Sequence, residues 1–233
     1  MLWPRLSDRC MGKLPTVGLT IALLGGALPS RLAGQATGMP VRNAGVGQGI
    51  SAGVDLGFGR IDRSGSGTDD VSRAVAGTVA LGFGPLGGSL GLSRATIDPA
   101  TGPDRTRNAL FATAEFTVLG GPLVPIRVLW QASYARQLDS GSNAPWRGSV
   151  GVGASLTIPA AIVSIRPWVA PRLDYLGRQP IAGARIKPSL SAGVDLGLLN
   201  GLGIRVAYDN RLGWDSAAER ATGVSFGVRY HFR

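Results

Sequence analysis

Of the side chains that perform most acid–base and nucleophilic chemistry, this 233-residue chain has very few: one histidine, His231, and one cysteine, Cys10. A single thiol excludes a disulfide framework and any multi-thiolate metal site, and a single imidazole excludes most histidine chemistry. A general base needs a positioned partner, and no Ser or Asp stands beside His231 by spacing, so the sequence predicts no catalytic site, no metal and no cofactor. Gly82, Gly84 and Gly87 match G-x-G-x-x-G. That fingerprint binds a dinucleotide only where a helix follows and meets the pyrophosphate. Here Pro85 and another alternating segment follow, which points to a glycine-rich hairpin turn, and no nucleotide is expected. The chain is basic, with a formal charge of +10, but its arginines are interleaved with apolar residues and form no continuous patch for nucleic acid.

The charges that remain to be explained lie within alternating segments. In Ile126, Val128, Trp130, Ala132 and Tyr134 the apolar residues take even numbers, with Arg127, Gln131 and Ser133 between them; Leu129 breaks the rule. The final segment puts Val224, Phe226, Val228, Tyr230 and Phe232 on one face and Ser225, Gly227, Arg229 and His231 on the other. Period two is a strand signal. Ten such segments are read: 46–61, 71–84, 88–96, 108–119, 125–138, 148–158, 162–176, 185–198, 203–212 and 221–232. Composition agrees: 36 Gly in 233 residues is about 15%, roughly twice the usual share, and 16% of residues are charged. With 44% hydrophobic residues and a mean hydropathy of +0.16, there is enough apolar surface to argue against disorder.

The N-terminus is read separately. Arg5, Arg9 and Lys13 precede an apolar run from Leu14 to Pro29, the layout of an export signal. Met11 is a second candidate start, and Ala33 and Gly34 offer a cleavage site. The expected organisation is therefore a signal peptide over 1–34, a short segment over 35–45 and the strand-rich body over 46–233. Removing residues 1–34 takes away four bases and one acid, so the charge falls from +10 to about +7, and Cys10 leaves with the signal.

The connections alternate in length. Residues 62–70, 97–107, 139–147, 177–184 and 213–220 are long and hold most of the loop charge, whereas 84–87, 120–124, 159–161 and 199–202 are short and uncharged. Long loops on one side and tight turns on the other predict an all-β fold, a transmembrane antiparallel up-and-down β-barrel of ten strands in an outer membrane. Eight strands with an irregular stretch over 159–189 is the alternative, because Pro167, Pro171 and Pro188 fall inside segments and call for bulges or a bend. An even strand count puts both termini on the short-turn, periplasmic side.

The inward face should then carry an ion-pair network of Asp55, Glu115, Arg127, Arg166, Arg172, Asp174, Lys187, Asp195, Arg205, Asp209, Arg211 and Arg229, since a lone buried charge costs several kcal/mol. Folding the hairpins about their loop centres sets Asp174 across from Lys187 and Asp195 near Arg205. The heptapeptide SAGVDLG occurs at 51–57 and again at 191–197, which predicts similar packing around Asp55 and Asp195. Outward parity puts Arg60, Arg73, Arg94 and Arg136 near the long loops, where guanidinium groups can meet lipid phosphates, lipopolysaccharide included.

The C-terminal alternation Phe226, Val228, Tyr230, Phe232 resembles the assembly signal of bacterial outer-membrane β-barrel proteins, with the departure that Arg233 follows the last Phe. The resemblance implies export, insertion by the barrel-assembly machinery and a Gram-negative envelope. The function expected is that of a small integral barrel with a plugged polar lumen in a structural or surface-interaction role. Alternatives are a narrow, weakly anion-preferring, porin-like pore and, more remotely, an outer-membrane enzyme.

Overall fold

A computed structural model describes residues 48–62, 69–99, 102–121, 124–138, 146–160, 162–177, 186–198, 200–211 and 220–232. The proposed signal peptide and the 35–45 segment lie outside the described residues. Alternating side chains and recurrent glycine favour extended backbone, and every regular element described is a strand: β1 Gly49–Asp62, β2 Asp69–Phe83, β3 Leu86–Asp98, β4 Arg105–Gly121, β5 Val124–Gln137, β6 Trp146–Leu156, β7 Ile158–Pro159, β8 Val163–Gly177, β9 Ile186–Leu198, β10 Leu202–Arg211 and β11 Arg220–Phe232.

All neighbours are antiparallel and sequential. The ends of the sheet meet through β1 with β11 and β6 with β8, which closes a barrel. β6 and β7 form one stave interrupted at Thr157, because Ser155↔Trp168 and Ile158↔Ile165 keep the same register against β8. The barrel thus has the ten staves read from the sequence, and the eight-stranded alternative falls away. Connections alternate as expected, with both described chain ends, Gly49 and Phe232, on the short-turn side.

The prolines depart from expectation. No bulge accompanies them: β8 pairs with β9 without a register shift from Val163↔Leu198 to Tyr175↔Ile186, across Pro167, Pro171 and Pro188. The missing donors are felt instead at the other edge, where the β6–β8 pairing skips from Gly151↔Arg172 to Ala154↔Val169 and so omits the position opposite Pro171. The register shifts occur elsewhere, in β4 between Thr117 and Gly121. There Gly120 takes φ +134°, a conformation open mainly to glycine, and Arg127 of β5 lies across it.

Side chains alternate between two opposite environments. Ser72, Ala76, Arg172, Asp174, Lys187 and Asp195 are buried inside, whereas Val54, Leu56, Leu81, Leu92, Trp130 and Val150 stand at least half exposed outside. Water-soluble proteins rarely expose apolar patches beyond a few hundred Å², and here the apolar surface runs around every stave. The polarity is that of a barrel bathed in hydrocarbon. Among the described residues, outward charges stand toward the long connections, with Arg60, Arg73, Arg94, Asp98 and Arg136 among them. Outward aromatics cluster at the two ends. Tyr134, Trp146 and Tyr175 stack at the long-loop end, with ring centroids 5.9 and 5.3 Å apart, and Tyr230 and Phe232 meet edge to face at the other, 5.1 Å apart.

Val54 stands outward in mid-strand between Gly77 and Val228. Val54→Arg is expected to destabilise the lipid-reconstituted barrel by about 2–4 kcal/mol, read from denaturant unfolding.

Candidate functional site

The distinctive chemistry is inside. Strand pairing aligns Asp55, Gly227, Arg205, Asp195 and Arg166 across five adjacent staves, β1, β11, β10, β9 and β8. Asp195 is the hub. Arg205 donates to it through Nε at 2.8 Å and Nη2 at 3.1 Å, Arg229 through Nη2 at 3.2 Å and the Trp168 indole at 3.2 Å, with Arg166 at 3.9 Å. Asp55 lies over Gly227, where a Cβ would meet its carboxylate at 1.9 Å. The missing side chain at 227 is what lets this acid extend toward Arg205.

A second network sits nearer the long loops. Asp174 accepts from Arg147, from Arg172 Nε at 3.0 Å and from the Ser189 hydroxyl at 2.5 Å. Arg172 also grips Asp209 through Nη2 at 2.7 and 3.0 Å and donates to Ser191, whose hydroxyl donates to Asp209 at 2.5 Å. Each hub carboxylate therefore has at least two cationic donors, the condition under which buried charge is tolerated. Both sequence-derived cross-strand pairs are in register, Asp174 with Lys187 and Asp195 with Arg205. The repeated heptapeptide likewise places Ser51 with Asp55, and Ser191 with Asp195, on the inner face.

The remaining predicted residues divide between walls. Lys187 and Arg211 are buried beside the second network, on β9 and β10. Glu115 faces inward across the barrel on β4, next to Gln131. Arg127 is held by the β4 bulge, donating to the Thr117 hydroxyl at 2.7 and 3.1 Å.

Several lumen residues escaped the sequence reading. The alternation puts inward Arg147 and its outward neighbour Trp146 in a loop, but β6 begins at Trp146. Arg147 points inward and is buried, continuing the parity of Ser149 and Ser155. That parity, extended two residues back, was the available signal. Leu129, the exception in its segment, is buried in the lumen, and Phe111 packs inward against Ala74, Ala76 and Ala95. Bulky inward rings lie over glycines of the next stave, Phe111 over Gly91 and Trp168 over Gly193. Opposite the ion pairs, the β2–β3 wall is lined by small residues. The hydroxyls of Ser72, Thr78, Ser89 and Ser93 find no partner among the described residues. Near the short-turn end a cavity of about 30 Å³ remains, bordered by Ser51, Asp55, Thr78, Ser89, Arg205 and Arg229. Among the described residues, no cluster of three or more His, Cys, Asp or Glu side chains is arranged to hold a metal.

A closed antiparallel barrel that is polar inside and apolar outside has the fold of outer-membrane β-barrels. No family model and no curated protein matches the chain. Among solved structures, the β domain of the Bordetella autotransporter BrkA is 16% identical, with 80% of this chain and 100% of that one covered and a TM-score of 0.50. The translocator domain of the autotransporter NalP from Neisseria meningitidis is 12% identical, with 80% and 90% covered and a TM-score of 0.46. The outer-membrane protease OmpT from Escherichia coli is 10% identical, with 78% and 96% covered and a TM-score of 0.43. At these identities the likeness concerns fold alone.

The last comparison corrects one expectation. From the scarcity of histidine the sequence predicts that the chain is no enzyme. A protease appears among the barrels it resembles, so that exclusion is withdrawn. The likeness is too remote to carry protease activity over to this chain.

Asp195→Ala would leave Arg205 and Arg229 facing each other in the lumen without their shared anion. The loss is expected to be about 3–5 kcal/mol in denaturant unfolding of the reconstituted protein.

Proposed function

We propose that the protein is a small integral β-barrel of a Gram-negative outer membrane, with both termini in the periplasm, whose lumen is closed by ion pairs and whose role is structural or surface-interacting. The observation that carries this reading is the pair of buried networks centred on Asp195 and on Arg172 with Asp174. They fill the polar interior from one wall, and rings from β4 and β8 fill much of the rest. Roughly eight strands leave room only for side chains, and an open aqueous channel takes about sixteen; ten lies near the filled end.

Insertion by the barrel-assembly machinery is part of the proposal. Phe226, Val228, Tyr230 and Phe232 all stand outward on the last strand, about half exposed, so this strand carries one continuous apolar face of the kind a receptor of final strands could read.

A narrow, weakly anion-preferring pore is the second reading. It is favoured by the excess of inward guanidinium groups, to which Arg147 now adds, and by the unpartnered hydroxyls of the β2–β3 wall. Planar-bilayer recording separates the two. The closed lumen predicts no steady current from the wild-type protein, and steady anion-selective current overturns it in favour of the pore. Membrane placement is tested independently: the mature protein should need detergent for extraction and shift mobility on a gel after boiling, and recovery in the aqueous fraction overturns it.

A further inference from the structure

We infer that the outward arginines Arg60, Arg73 and Arg94 form one binding site for the phosphorylated headgroup of a membrane lipid carrying more than one phosphate, as lipopolysaccharide does. The inference rests on the membrane placement proposed above. Arg73 of β2 pairs directly with Phe58 of β1 and Thr96 of β3, Arg60 pairs with Val71, and Arg94 with Val75. Arg60 and Arg94 are therefore each a diagonal neighbour of Arg73, one on either side. Outward residues in that relation sit about 7–8 Å apart, so three guanidinium groups line up obliquely across three consecutive staves. All three side chains are exposed.

The arrangement is confined to one sector. Outward positions of β8, β9 and β10 hold no charged residue among the described residues, and the fourth outward arginine, Arg136, stands apart on β5 beside Leu110 and Trp146. An outward arginine is unfavourable where hydrocarbon begins. That cost falls where a phosphate is within reach, and guanidinium is the side chain best shaped to grip phosphate oxygens in pairs. Exposed Asp98 lies nearer the loop than Arg94 on β3, which sets an upper limit there to where an anionic headgroup can rest.

Below the row the surface is apolar. Phe58, Val75 and Leu92 lie just beneath, with Leu56, Val79 and Leu90 further down, all between 43 and 58% exposed. Charge at the rim and a smooth apolar strip below match a lipid with anionic head and acyl tails. Soluble phosphate would use only the upper half. A protein partner is disfavoured because the strip continues without a break into the rest of the hydrocarbon-facing belt.

The test uses the full mature chain folded in detergent, with the triple variant Arg60→Ala, Arg73→Ala, Arg94→Ala beside the wild type. Boiling-dependent gel mobility confirms that each is folded, which these exposed positions should permit. Lipopolysaccharide retained per barrel is then measured by native mass spectrometry, with phosphatidylglycerol and inorganic phosphate as competing probes. The expected result is a loss of lipopolysaccharide affinity of at least about tenfold in the triple variant, a partial loss in the corresponding lysine variant, and little competition from either probe. Unchanged retention by a folded triple variant overturns the site. Equal displacement by phosphatidylglycerol or inorganic phosphate overturns its assignment to a multiply phosphorylated lipid. A chain that fractionates in water overturns the membrane placement instead, and is distinguished from both by needing no detergent.

Discussion

The constraint on which this structure depends is that a peptide group in hydrocarbon has no water to bond to. Every N–H and C=O in the belt must find a partner in the chain itself, and for strands that means a sheet with no free edge. The meeting of β1 with β11 and of β6 with β8 meets this requirement. Once the sheet is closed, each side chain has only two places to go. Apolar residues take the outside, and the polar ones must solve their problem within a narrow interior.

They solve it by combining charge pairing with glycine. Large inward groups need floor space, and the sequence provides it by placing glycines on adjacent staves: Gly227 under Asp55, Gly193 under Trp168, Gly91 under Phe111 and Gly151 beside Arg172. This explains how so much glycine is accommodated within the described strands. The residue is used where a neighbouring strand sends a long side chain across. The same economy accounts for the asymmetry of the lumen, with arginines and aspartates on β8 to β10 and alanine and serine on β2 and β3.

Much of this was legible from alternation alone, because a strand's two faces are fixed by residue parity. The number of staves, the side on which the termini lie, and the cross-strand pairs Asp174 with Lys187 and Asp195 with Arg205 all follow from parity and from folding hairpins about their centres. What was not legible is instructive. Arg147 and Trp146 looked like loop residues because a charge and a ring beside Pro145 resemble a loop's composition, yet strand pairing with β5 and β8 extends further than the alternation advertises. Leu129 and Phe111 look outward by hydrophobicity and sit inward by parity; only packing against small neighbours decides such residues. The hub role of Arg172 depends on three staves meeting at one point, which no single segment encodes. Conversely, the prolines, for which the sequence predicts bulges or a bend, keep an unshifted register against β9 and interrupt the ladder to β6 instead.

That accommodation has a mechanical side. Around Pro171 the β6–β8 ladder is interrupted between Gly151↔Arg172 and Ala154↔Val169, so that stretch of the circumference is less firmly stitched by backbone pairing than the unbroken β8–β9 join beside it. Two side-chain links cross the same join: Arg147 to Asp174 within, and Trp146 against Tyr175 without. One acts from the wet side and the other from the greasy side, like rivets on the two faces of a plate. Part of the strength of that seam thereby passes from main chain to side chains, and with it a sensitivity to change at Arg147, Asp174, Trp146 and Tyr175.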